Sequence, residues 1–436
     1  MIKQNKATKK VMKKYFIIAI AALAASAACT KVETIDNTPD VPVTFQAANY
    51  TGQTKATNVS VFNDFKEFKC RAFLHAEGVD LLGASDSYAV NGTSYQEFFG
   101  STGETISPYN SSNEKITNPT ASTDNVHHWA PSHEYYWPKS EHSFVNFVGW
   151  YGTDGTNAID PTIAYEYDGT AEKWTATMTW NYSNATAGAA GANILYADMA
   201  WRYQTNPTAA YGLNGLSSGY NKGVPMLFHH ALAQINVKAY AVAATAETGE
   251  PANTALTAGS SNTVTDGNAT WTIKLTSVKI TPVITSGTLT LTNADKGSNG
   301  TKVWSGDWAI ADGASAGDLP STAITEVPVN QVAKPDAATT DGDVIAKTCV
   351  IPQTIGTSVA LTFNLDITTA YTSPAVSHHE IIPVTVLLNT DCGTTSWAMN
   401  TKYTYFLKIN PSQKLVRFDP VLQEEWIPIE GTEQTI

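Results

Sequence analysis

The stretch Val359-Ala360-Leu361-Thr362-Phe363-Asn364-Leu365-Asp366-Ile367 decides the fold. Its large apolar side chains recur at every second position, and in a strand alternate side chains share one face. The same period appears throughout the chain. Trp174, Ala176, Met178 and Trp180 are separated by Thr175, Thr177 and Thr179. Phe68, Cys70, Ala72 and Leu74 alternate with Lys69, Arg71 and Phe73, and Val41, Val43 and Phe45 begin a similar run. Ile235, Val237, Ala239 and Ala241 form a weaker stripe, and Tyr403, Tyr405, Leu407 and Ile409 form the last clear one. Little helical periodicity competes with these runs. Turn-rich stretches at residues 152–155, 185–191, 293–300 and 335–342 separate them. Half-buried strands of this kind pack as antiparallel sandwiches, so the fold class expected is all-β.

The chain has 436 residues, enough for two to four domains of ordinary size. Residues 203–225 are rich in Gly, Asn, Ser and Pro, and Gly223 lies among them. They read as a linker and divide the body into sandwich domains at 41–222 and 223–436. Charged residues are 15%, well below the roughly 25% of an average soluble domain. Formal net charge is −12. Residues 1–28 carry six Lys and no acid, which leaves 21 basic against 39 acidic residues, a balance of −18. So acidic a body will not track a phosphate backbone, and nucleic-acid binding is excluded as a function.

Lys9, Lys10, Lys13 and Lys14 precede one apolar run at 15–25, about half the ~20 residues a spanning helix needs. Residues 1–28 therefore read as a signal peptide. The run ends in Ala24-Ala25-Ser26-Ala27-Ala28-Cys29, small residues followed by Cys, as in a lipobox. Acylated Cys29 would anchor the chain to a membrane. Ordinary cleavage after Ala28, with a thiol at Cys29, is the alternative. Residues 29–40 read as a polar tether. Cys70, Cys349 and Cys392 are read as buried thiols, with a Cys349–Cys392 bridge open in an oxidising compartment.

No nucleophile motif, Walker loop or His-Glu-x-x-His motif occurs, and no catalytic residue, cofactor or metal is expected. His127, His128, His133 and His142 cluster at irregular spacing, which favours local hydrogen bonding over metal binding. His378-His379-Glu380 and His229-His230 are sequence neighbours, so on a strand each pair of rings points to opposite faces. Asp198, Asp391, Asp419, Glu424 and Glu425 are available for acid–base work, but nothing in the sequence brings two together, and a solvated surface is the simpler reading. The 11 Trp and 19 Tyr are expected mostly in the core, with Tyr135-Tyr136-Trp137-Pro138 as the best candidate for exposed rings because Pro138 interrupts pairing.

Five segments in order resemble the fimbrillin family, the subunits of type V pili. Cys29 is followed by a first strand at 41–47 and the loop residues Thr54-Lys55-Ala56. Tyr136-Trp137-Pro138 precedes the aromatic run Phe144-Val145-Asn146-Phe147-Val148-Gly149-Trp150-Tyr151. Asn193-Ile194-Leu195-Tyr196-Ala197-Asp198 and Leu227-Phe228-His229-His230-Ala231-Leu232 follow. Trp397, Tyr403-Thr404-Tyr405-Phe406-Leu407, Val416-Arg417-Phe418 and Trp426 complete the pattern.

The resemblance implies two transthyretin-like antiparallel β-sandwich domains, export as an outer-membrane lipoprotein through Cys29, and assembly into an adhesive surface fibre. It implies a trypsin-like maturation protease acting between Lys55 and Ala56, where family members usually carry Arg. It implies other pilus subunits as partners, joined by β-strand addition. The donor strand is expected in residues 415–436, with Ile427, Ile429 and Ile436 as candidate donor residues and 415–418 equally readable as the last strand of its own sandwich. The alternative function is a surface lipoprotein adhesin that binds glycan or host protein and never polymerises.

Overall fold

The computed structural model describes residues 42–49, 67–75, 95–99, 113–118, 129–137, 144–154, 157–168, 170, 173–183, 192–203, 223–241, 263–266, 268–295, 300–310, 316–320, 327–328, 346–410, 415–418 and 422–425. These residues form strands and turns, with no helix among them. In chain order the first strands are β1 (Phe45–Asn49), β2 (Glu67–His75), β3 (Gln96–Phe99), β4 (Glu114–Thr117), β5 (Ala130–Pro131), β6 (Phe144–Asp154), β7 (Thr162–Asp168), β8 (Lys173–Ser183), β9 (Ala192–Ala197) and β10 (Met199–Tyr203). There follow β11 (Val224–His230), β12 (Ala233–Ala241), β13 (Thr263–Asp266), β14 (Ala269–Ile284), β15 (Ser286–Asp295), β16 (Gly300–Lys302), β17 (Trp308–Ala309), β18 (Ala316–Pro320) and β19 (Val327–Pro328). The last are β20 (Ala346–Val350), β21 (Gln353–Thr354), β22 (Ala360–Thr372), β23 (Ala375–Leu387), β24 (Ser396–Trp397), β25 (Thr401–Asn410), β26 (Leu415–Phe418) and β27 (Leu422–Glu425).

The run that opens the sequence reading becomes β22, at the centre of a sheet ordered β13-β14-β22-β23. Leu361, Phe363, Leu365 and Ile367 point inward with Ile273 and Leu275 of β14. They meet Ile235 and Val237 of β12 and Tyr403, Tyr405 and Leu407 of β25, from a second sheet ordered β20-β12-β25-β26. Alternation on both sheets makes this a sandwich with one shared core. β27 pairs with the start of β25 and β26 with its end, so residues 415–418 and 422–425 belong to the edge of their own sandwich.

The other large sheet runs β1-β11-β9-β6-β2-β4-β5. β2 and β6 carry apolar residues on both faces. On β2, Phe68, Cys70, Ala72 and Leu74 face one core while Phe73 faces another. The second core lies against a four-stranded sheet, β17-β15-β8-β7, where the expected stripe Trp174, Ala176, Met178 and Trp180 supplies the cover.

The sequence-derived boundary at 222 lies between β10 and β11. Strands on either side of it share sheets: β11 pairs with β9, and β15 pairs with β8 along ten residues. β14 leads directly into β15, so one length of chain serves both bodies. A register shift between Thr276 and Lys279 falls at Ser277, whose φ of 54° marks a bulge in that strand. Residues 42–436 accordingly form one unit. The presumed linker at 203–225 is shorter than its composition suggests, because Tyr203 ends β10 and Val224 begins β11.

Aromatic residues mostly fill the cores, and Trp129, Trp150, Trp174, Trp180 and Trp397 are fully buried. In the stretch expected to display rings, Tyr136 is exposed but Tyr135 and Trp137 are buried, because their backbone turns inward against β1. None of Cys70, Cys349 and Cys392 forms a disulfide. Cys349 and Cys392 pack against different cores.

Candidate functional site

The first strand closes the large sheet on itself. β1 lies parallel to β11, with Phe45 opposite Val224 and Asn49 opposite Phe228. Its other edge meets residues 129–136. The Val43 N–H donates to the Tyr135 carbonyl and the Phe45 N–H to the Trp129 carbonyl, both at 2.8 Å. Residue 129 adjoins β5, the last strand of the same sheet, so β1 is a stave between first and last neighbours. Val43, Phe45 and Ala47 all point into the closed interior, as alternation requires, and Phe45 and Ala47 are 0% exposed.

The seat beneath β1 is aromatic. The Phe45 ring stands edge-on to Phe68 at 6.0 Å and to Phe147 at 5.4 Å, and lies 6.2 Å from Phe99. Phe68 in turn contacts Trp129 and Phe228. Edge-to-face rings at these spacings add about 0.5–1.5 kcal/mol per pair to plain burial. Without β1, these side chains would line a hydrophobic groove with unsatisfied strand edges on either side.

Two local features set the width of the seat. Gly223 has φ of +136°, and a Cβ there would fall 2.7 Å from the Phe45 backbone. A side chain at 223 would therefore push β1 away from β11. On the opposite wall, Glu114 of β4 is buried and accepts from the His133 N–H at 3.0 Å and the Tyr135 hydroxyl at 3.1 Å. The His133 ring nitrogen Nδ1 lies 3.1 Å from both carboxylate oxygens. This anchor fixes the backbone of residues 133–135 that receives β1. Glu114 lay outside the acid groups singled out from the sequence, and Gly223 looked like linker; no local pattern marks either.

His133 thus binds Glu114, and no group of three or more potential metal ligands occurs among the described residues. His127, His128 and His142 lie outside the described residues, as do Cys29, Lys55, Ala56, Asp419, Ile427, Ile429 and Ile436. Lys55 and Ala56 fall in the connection between β1 and β2. His229 and His230 point apart as strand geometry demands. His229 Nε2 lies 2.9 Å from Asp198 Oδ1, and His230 Nδ1 lies 2.9 Å from Asn193 Oδ1. Asp391 accepts from the Leu387 N–H at 2.8 Å and stabilises a turn. Glu424 and Glu425 sit on β27, away from Asp198 in the fold's other body.

Two of the segments that carry the family resemblance lie side by side here. Ala197 opposes Phe228 and Tyr196 opposes His229 across the β9–β11 ladder, which directly supports β1. A closed all-β sheet whose first strand is its keystone is the structural class. Comparison with known proteins gives the family: the fimbrillin-like model matches residues 92–424, well over half the chain, and the protein belongs to that family. A fimbrial protein from Bacteroides vulgatus is similar at 16% identity over 88% of this chain and 99% of its own, with a TM-score of 0.44. A candidate cell adhesion protein from Parabacteroides distasonis is similar at 12% identity over 90% and 98%, with a TM-score of 0.37. One from Bacteroides uniformis is similar at 13% identity over 88% and 98%, with a TM-score of 0.35. No curated protein matches the chain.

Proposed function

We propose that this chain is a structural subunit of a cell-surface fimbria, and that it gives up β1 to assemble. The observation that carries the reading is the position of β1, a short stave over an aromatic seat, reached from the rest of the chain through the connection that contains Lys55. Family membership, and relatives described as fimbrial or cell adhesion proteins, support a role in fibres or adhesion at the cell surface.

On this reading residues 1–28 direct export, and acylated Cys29 holds the precursor at the outer membrane. A trypsin-like cut between Lys55 and Ala56 separates β1 and its lipid from the body. The open seat then presents free strand edges on β11 and on residues 129–136, and a strand from another subunit adds to them. The incoming strand must carry apolar residues at alternate positions to replace Val43, Phe45 and Ala47. Ile427 and Ile429 have that spacing. β26 and β27 are already paired with β25, so the donor is sought beyond Glu425, in residues 426–436 that include Ile436.

The test is the N-terminal sequence of protein recovered from cells, together with fibre formation after cleavage. A start at Ala56 and detergent-resistant ladders are expected. A chain that keeps Cys29 and β1 at the cell surface, and forms no ladders after a cut at Lys55, overturns the proposal in favour of the non-polymerising adhesin.

A further inference from the structure

The β22–β23 hairpin carries the largest gathering of exposed apolar side chains in the described protein. Tyr371 is 45% exposed, Val376 54% and Ile381 57%; apart from these three, Tyr136 and Val303 are the exposed large apolar residues among those described. β23 is the end strand of its sheet and pairs with β22 along thirteen residues. No other described strand borders it, so its outer N–H and C=O groups form a long edge of the kind that templates strand addition.

The sequence of that edge is complementary to itself. Val376, His378, Glu380 and Ile382 lie opposite Tyr371, Thr369, Ile367 and Leu365, so all four side chains share the inward-facing side of the sheet. Ile367 and Leu365 there are buried, whereas Val376 and His378 are exposed. Two copies of β23 aligned antiparallel about His379 place His378 opposite the second copy's Glu380, twice. The same alignment places Val376 opposite Ile382, also twice. His379 faces its own counterpart at the centre. A shift of one residue keeps only one kind of match: one shift sets Val376 opposite Ile381 but His378 opposite His379, and the other sets His379 opposite Glu380 but Ile382 opposite Ser377. Pro383 has no N–H to donate and ends the ladder at 382. Six steps of about 3.4 Å from residue 376 to residue 382 leave a ladder of roughly 20 Å.

We infer that the occupant of the β23 edge is β23 of a second copy, paired antiparallel about His379. Having both imidazole–carboxylate and apolar pairs at directly facing positions favours this register. The contact joins the six-stranded sheets of two subunits into one continuous sheet. It uses neither β1 nor the seat beneath it, so it is independent of cleavage at Lys55. A single seven-residue strand pair is a small interface, and the self-association expected is weak, in the micromolar range.

Sedimentation of the purified chain against concentration reads the association, with circular dichroism as the check on folding. The wild type is expected to dimerise. Glu380→Lys should weaken dimerisation at least tenfold, and the double variant H378E/E380K should restore it by setting Glu opposite Lys twice. In a background with Cys29 and Cys392 changed to Ser, His379→Cys should form a disulfide-linked dimer under mild oxidation, since facing strand residues lie within disulfide reach. Val376→Cys should not, because its counterpart lies roughly 20 Å along the ladder. A wild type that stays monomeric overturns the inference, as does unchanged association of Glu380→Lys. Equal cross-linking at both cysteine positions also overturns it. So does association lost on deletion of residues 427–436 without any cross-link at 379, which would assign the edge to a neighbour's tail.

Discussion

Phe45 touches three aromatic rings and no solvent, so its side chain stabilises the closed sheet well beyond its own ladder bonds. Phe45→Ala leaves a cavity in a seat that cannot collapse around it, and the expected loss is about 3–5 kcal/mol. A fall in the urea midpoint at constant slope measures it. Gly223→Ala acts at the same place by another route. The added methyl meets the Phe45 backbone in a conformation that L residues resist. Its expected result is earlier proteolytic cutting near β1 than at β2, read by mass spectrometry. His230 adds a pH dependence. Burial first, then the charges of His229 and Lys347, hold its imidazole pKa well below the ordinary value. The unfolded chain takes up that proton below about pH 6.5, while the folded chain does not. Stability from this group is therefore complete above that pH and falls by about 1.4 kcal/mol per unit as pH drops toward the depressed folded value. A Tm–pH profile should be flatter on the acid side in His230→Gln than in the wild type.

At the scale of elements, β1 and the pair β26–β27 are attached differently. β1 is inserted between two neighbours, and the interior depends on it. β26 and β27 pair along a sandwich edge. On the proposed donor role of residues 427–436, their deletion is expected to leave the unfolding free energy within about 0.5 kcal/mol of wild type. Ladder formation after cleavage should be lost in the same variant. Ladders of normal length would show that the donor lies elsewhere. Much of the element list was legible: the runs at 68–74, 174–180, 359–367 and 403–409 became β2, β8, β22 and β25. The Gly-rich turns mark their ends because those residues accept backbone shapes that strands do not. Less legible was the exact extent of 203–225, because short strands with Tyr203 or Pro225 resemble loop in composition.

At the scale of the whole molecule, strands from both sides of residue 222 share sheets. A fragment ending at residue 222 lacks β11, the parallel neighbour of β1, and β15, the neighbour of β8. It is expected to remain unfolded, with a flat thermal transition, whereas the chain from residue 42 onward should melt cooperatively. The thiols report the same integrity. Burial and the nearby Glu114 push the Cys70 thiol up, and burial pushes Cys349 to about 12. Neither should react with iodoacetamide at neutral pH until the sheets open. Equal labelling of native and denatured protein would show that these cores are not closed.

The sequence by itself determined the all-β class, the main strands, the depth of most tryptophans and the divergence of adjacent histidines. These follow from the period of two, which each strand carries within its own residues. It also carried the family resemblance, because those motifs are contiguous. Tertiary structure alone decided which strands became neighbours. Period two says that a face is buried but not what covers it, and the partners of β1 lie at residues 129–136 and 224–228. The same holds for Gly223 and Glu114, whose roles exist only because distant backbone passes within a few ångströms of them. It holds for β23 as well: alternation marked its strand partner β22, but only the order of the sheet left its outer edge exposed.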